Sequence, residues 1–87
     1  MIGMNIQELI ERFESLGVPP RAYSVGSERN ESYSMVHENG KWTVFYSERG
    51  NRNDEMTFID EHAACREFFD RVTRDRIIQS EMVRGTE

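Results

Sequence analysis

Asn39-Gly40 separates two runs in which large apolar and polar residues alternate, and no other feature of the chain restricts its fold as strongly. An Asn-Gly pair readily takes the two positive φ angles of a type I′ turn, whose twist matches that of flanking antiparallel strands. With this pair as the two-residue loop, residues 33–38 and 41–47 form a hairpin. Glu38 then faces Lys41, His37 faces Trp42, Met35 faces Val44 and Tyr33 faces Tyr46. Because side chains alternate across a strand, one face carries Tyr33, Met35, His37, Trp42, Val44 and Tyr46. The other carries Ser34, Val36, Glu38, Lys41, Thr43, Phe45 and Ser47. The first face is the more aromatic and is expected to point inward, leaving the Phe45 face open.

The flanking segments supply helices to cover that inner face. Asn5-Ile6-Gln7-Glu8 has the form of a capping box, and Ile6, Leu9, Ile10, Phe13 and Leu16 then recur at helical spacing. Gly17 permits a left-handed stop, Val18 can fold back onto Phe13, and Pro19-Pro20 prevent continuation. Residues 22–25 suit a short strand or an extended arm, followed by a turn or loop over 26–31. A third hairpin-like strand is expected at about 55–59, with 46–54, YSERGNRND, largely forming a polar connection. Asp60 caps a final helix whose apolar stripe is Ala64, Cys65, Phe68, Phe69 and Val72. Ile77 falls almost opposite Phe68 on a continuing helix, so contact with the sheet is expected to fail near 72–74 or to change character there. The expectation is α+β: a three- or four-stranded antiparallel meander with N- and C-terminal helices on one face, in the order α-β-β-β-α. At 87 residues a single domain over 1–80 is expected, with 81–87 as a flexible tail.

The net charge of −5 is spread along the chain and opposes phosphate binding while favouring a basic protein partner. Aromatics on a sheet can stack single-stranded bases, but Glu38, Glu48, Asp54 and Glu55 interrupt any such patch, so nucleic acid is not an expected partner. One cysteine, Cys65, allows no intrachain disulfide and no thiolate cluster. The N-terminus lacks the features of a secretory signal, and no stretch approaches the roughly 20 apolar residues of a membrane span. A soluble, cytoplasmic protein is the expectation, with no membrane association.

Catalytic chemistry finds little footing. His37 and His62 are the only imidazoles, and Cys65, three residues from His62, belongs to the apolar stripe and reads as a core residue. Glu67 with Arg71 and Asp70 with Arg74 are helix-surface pairs. Glycine-rich phosphate loops, nucleotide fingerprints and zinc or calcium motifs are absent from the sequence. No enzyme activity, cofactor or metal is therefore expected. A half-apolar patch around Val36 and Phe45, rimmed by the charges of 48–55, instead suggests a protein interface. A small homodimer joined through a free edge strand or through Ile77-Ile78 is the other reading of the same features, and weak single-strand binding a third.

Three segments together resemble small bacterial immunity proteins encoded beside polymorphic or contact-dependent inhibition toxins. They are Gly17-Val18-Pro19, the aromatic hairpin ending in Tyr46-Ser47-Glu48-Arg49-Gly50, and Glu61-His62-Ala63-Ala64-Cys65-Arg66-Glu67-Phe68. The resemblance spans roughly residues 5–72 and implies neutralisation of a cognate toxin's C-terminal domain by binding, without turnover. If that toxin is a nuclease its substrate surface is basic, and spaced carboxylates would occupy it as phosphate mimics. The expected contacts are Glu38, Phe45, Glu48, Arg49, Arg52, Asp54 and Glu55, with Glu28 and Glu31 extending the acidic rim.

Overall fold

The computed structural model describes residues 3–82. Helix α1 (Ile6–Leu16) begins at the capping box: the Glu8 amide donates to Asn5 Oδ1 at 2.8 Å and the Asn5 amide to Glu8 Oε1 at 3.1 Å. It ends at Gly17, whose φ of 76° few other residues would accept, and the Val18 amide closes the turn on the Phe13 carbonyl. A single 3-10 turn (Pro20–Ala22) leads into the short strand β1 (Tyr23–Val25).

Strands β2 (Ser32–Glu38) and β3 (Lys41–Glu48) pair antiparallel in the register set by Asn39-Gly40, with φ of 53° and 74° at the two turn residues. Strand β4 (Asn51–Phe58) starts four residues earlier than the sequence reading places it. Most of YSERGNRND is therefore strand, and its loop is only Arg49-Gly50, with φ of 53° and 80°, a second turn of the same kind. The polarity of 51–55 conceals this strand because β4 is an edge whose residues are mostly exposed. A bulge at Asp54, φ 56°, shifts the pairing between Val44 and Tyr46.

The sheet order is β1-β2-β3-β4, with β1 parallel to β2 and the rest a meander. A parallel neighbour requires the chain to travel back along the sheet before β2 begins. Residues 26–31 make that return as a strap against the face opposite the helices. The Arg29 amide donates to Ser34 Oγ at 3.2 Å, and Ser47 Oγ donates to Glu28 Oε2 at 3.1 Å.

Helix α2 (Glu61–Arg74), capped by Asp60, packs with α1 on the Trp42 face. The two helices are joined where the Ile6 amide donates to Glu61 Oε2 at 3.1 Å. Leu9, Phe13, Met35, Val44, Ala64, Cys65, Phe68 and Val72 make the core, and the Phe13 ring meets Tyr23, Phe68 and Phe69 at 4.5–6.0 Å. Where the apolar stripe drifts off the sheet, the helix breaks. Asp75 adopts an extended conformation and caps a new helix, α3 (Arg76–Glu81), through the amides of Ile77 and Ile78. This redirection buries Ile78 and leaves Ile77 73% exposed. Glu81 closes α3 and Met82 packs on the core, so these two residues of the expected tail belong to the folded body. Residues 83–87 lie outside the described residues. No helix among the described residues is long and apolar enough to cross a membrane.

Candidate functional site

The expected open face is sealed. Phe45 is 0% exposed and Val36 7%, although no helix covers them. Alternation along β3 points Phe45 away from the helices, as the sequence requires, but the reverse face has its own lid. Arg52 lies across the Phe45 ring, 4.3 Å from its centroid, and the 26–31 strap flanks it. Phe45 is thus corrected from an exposed binding anchor to a second, smaller core. Trp42 keeps its expected side and packs against the main core while remaining half-buried.

Arg52 is also the hub of an ionic cluster. It contacts Glu38 at 2.7 Å, Glu55 at 3.0 Å and Glu28 at 3.2 Å. These carboxylates come from β2, β4 and the strap, so one guanidinium ties three segments together across the sheet. Hydrogen bonds from Arg52 hold the Glu38 carboxyl below its ordinary range, and the Glu38 and Glu55 carboxylates in turn raise the pKa of Arg52. Three carboxylates surround this guanidinium, and Lys41, opposite Glu38 in the hairpin, borders the same outward-facing patch, which leaves one negative charge in excess.

The expected contact residues divide between two faces. Glu38, Arg52 and Glu55 gather on the reverse face with Glu28, above the buried Phe45. Glu48 and Asp54 instead border the helix-side end of the sheet. Arg49 sits in the turn between β3 and β4, where its amide donates to Asn30 Oδ1 at 2.8 Å. Glu31, at the end of the strap with φ 58°, lines a hollow with Tyr46, and its amide donates to the Ser47 carbonyl.

At this helix-side end, two hollows of about 440 and 500 Å³ share Tyr33, Tyr46 and Asp75 in their walls. The tyrosine rings meet edge to face at 4.9 Å. Tyr33 Oη donates to Asp75 Oδ2 at 2.9 Å, so the carboxylate that starts α3 also anchors β2. Burial and that bond push the Tyr33 hydroxyl up to about 12. Burial, then Glu48, Glu31 and Asp75, raise that of Tyr46. Tyr33, Tyr46 and Asp75 were not singled out as a site by the sequence. Their usable signals were the Tyr33–Tyr46 register pair and an acidic residue at the point where the last helix loses its stripe.

The remaining reactive side chains are engaged structurally. Cys65 is buried, and burial, reinforced by Glu61, Asp60 and Glu8, pushes its thiol up to about 12, the opposite of an activated nucleophile. The His37 ring stacks on Trp42 at 4.3 Å, and the His62 side chain lies against Gly3. No group of three or more His, Cys, Asp or Glu suited to a metal ion occurs among the described residues. No protein-family model, curated protein or solved structure matches the chain.

Proposed function

We propose that this protein is an immunity-type inhibitor that binds the C-terminal domain of a cognate bacterial toxin and neutralises it by occupancy, without catalysis. The observation carrying this reading is the Arg52 cluster. Glu28, Glu38 and Glu55 are held in fixed positions on the outer surface of the strap-covered face and, even with Lys41 beside Glu38, keep one negative charge in excess. Carboxylates already immobilised by the fold lose little side-chain freedom on meeting a basic surface, which favours affinity without a deep pocket. The overall charge of −5 adds long-range attraction to the same kind of partner. Self-association through the β4 edge is disfavoured by the Asp54 bulge, whose carbonyl accepts from Arg71 at 2.6 Å.

The test is co-expression with the C-terminal toxin domain encoded beside this gene, followed by titration of the purified partners. Wild-type protein is expected to bind and to abolish the toxin's activity. The double variant Glu38→Gln/Glu55→Gln is expected to remain folded and to bind about tenfold or more weakly, with a shallower salt dependence. Unchanged affinity and salt dependence would remove the reverse face from the interface, and failure to bind or protect would sink the inhibitor reading itself.

A further inference from the structure

Helices α2 and α3 are separated by one residue, and a single torsion divides them. Asp75 has φ −67°, already a helical value, and ψ 123°, which is extended. Turning that ψ to the helical value of about −42° would merge the two into one helix from Glu61 to Glu81. Neither glycine nor proline stands between those ends to interrupt it.

The contacts that hold the bend are of two kinds. At the hinge, Asp75 Oδ1 accepts from the Ile77 and Ile78 amides at 2.9 and 3.1 Å, and Oδ2 accepts from the Tyr33 hydroxyl at 2.9 Å. A continuous helix would satisfy the same two amides through the Thr73 and Arg74 carbonyls, so straightening leaves neither of them orphaned. Beyond the hinge, α3 is docked: Ile78 is 8% exposed, Met82 packs on the core, and Glu81 pairs with Arg21. Straightening forfeits this docking unless α3 finds another groove of the same kind. Pro19, Ala22 and Tyr33 line that groove beside Ile78, and every copy of the chain carries one.

We infer that α3 is an exchangeable arm: Asp75 straightens, and the α3 of one copy takes the place of α3 in a second copy, reciprocally. The occupant fits because it carries the residues the groove already holds. Each chain recovers the burial of Ile78 and the Arg21–Glu81 pair, now made between copies, while the hinge becomes helix. A one-residue connection invites such exchange, and a reciprocal swap closes on itself as a two-fold dimer. The charge of −5 on each copy opposes the encounter, so the dimer belongs to high concentration and is promoted by salt. The inference does not depend on the inhibitor reading, and the Arg52 cluster takes no part in it.

The full-length protein is incubated at millimolar concentration near the onset of urea unfolding, so that α3 can leave its groove, then returned to buffer and sized by light scattering. Wild type is expected to yield a dimer whose fraction rises with concentration and with salt. Two substitutions shift the hinge in opposite directions. Asp75→Ala removes the cap and the Tyr33 bond of the bent form, and should lower the dimer dissociation constant about tenfold or more. Arg76→Pro suits the bent form, because proline favours the first helical position and an extended residue before it. In a straight helix its ring would meet the Val72 carbonyl, so the constant should rise about a hundredfold or more. In dimers of labelled and unlabelled copies, isotope-filtered NOEs should join Ile78 of one chain to Ala22 and Tyr33 of the other. A wild type monomeric throughout overturns the inference, as does a folded Asp75→Ala that dimerises no more tightly or an Arg76→Pro that dimerises as well as wild type. So does a dimer in which Ile78 touches only its own chain. The NOE measurement needs no substitution, and it decides the matter even where a variant fails to fold.

Discussion

Arg52 combines three roles in one side chain: it covers Phe45, links β4 to β2 and the strap, and balances one of three crowded carboxylates. Arg52→Met separates them, because methionine retains much of the apolar cover and loses the charge. At pH 7 the variant is expected to be less stable by about 1–2 kcal/mol, the scale of partly exposed ion pairs added to a cation–π contact. The direction with pH follows from Glu38. Its folded pKa lies below the ordinary 4.5, so the native state binds the proton less readily than the unfolded chain. The associated stability is fully present above 4.5 and is lost as pH falls through the folded value. Arg52→Met lacks most of that contribution, so its deficit against wild type should shrink in acid. Urea unfolding at pH 7 and pH 3 measures both gaps. A deficit independent of pH would mean that Arg52 acts only as a cover for Phe45.

Among the elements, those whose determinants are local were the most legible. The α1 capping box, its Gly17 stop and the Asn39-Gly40 hairpin each depend on residues within a few positions of one another. The break before α3 was also visible, because an apolar stripe leaving its helical face has to stop or turn. Strand β4 was read too short: polarity suggests a loop when the strand lies at an edge and need not be apolar. The decisive signal was Arg49-Gly50, which repeats the conformation of Asn39-Gly40 with a less favourable first residue. Space is no obstacle to a side chain at Gly50, since no atom lies within 4 Å of an added Cβ, but its φ of 80° is. Gly50→Ala should therefore destabilise by about 1–2 kcal/mol through backbone conformation alone. Arg49→Asn, which favours positive φ, should stabilise by a few tenths of a kcal/mol. Urea midpoints measure both, and a neutral Gly50→Ala would restore the longer loop. The strap was illegible for another reason: its position follows from β1 pairing parallel to β2, a contact that no local pattern in 21–32 specifies.

Taken as a whole, the molecule is a sheet sealed on both sides by different chemistry, apolar helices on one and a polar strap with Arg52 on the other. Sequence patterning located the first seal and the division of side chains between faces, but it assigned the second face to solvent because its covering residues are charged. The candidate contacts consequently separated into an acidic patch and the rim of an aromatic hollow, with Phe45 withdrawn from both. If the two seals form one cooperative structure, damage beneath the strap must be felt under the helices. Phe45→Ala tests this. Phe45 is 0% exposed, and deleting a buried phenylalanine typically costs about 3–5 kcal/mol. Trp42, the single tryptophan and only half-buried on the helix side, reports from the opposite face. Fluorescence of Trp42 and far-ultraviolet circular dichroism should move together to a lower urea midpoint, with coincident transitions. An unchanged Trp42 transition would mean that the reverse face opens independently, as a separately mobile layer. The Arg52 carboxylates would then be ordered only when a partner holds them, and the preorganisation on which the inhibitor reading depends would be gone.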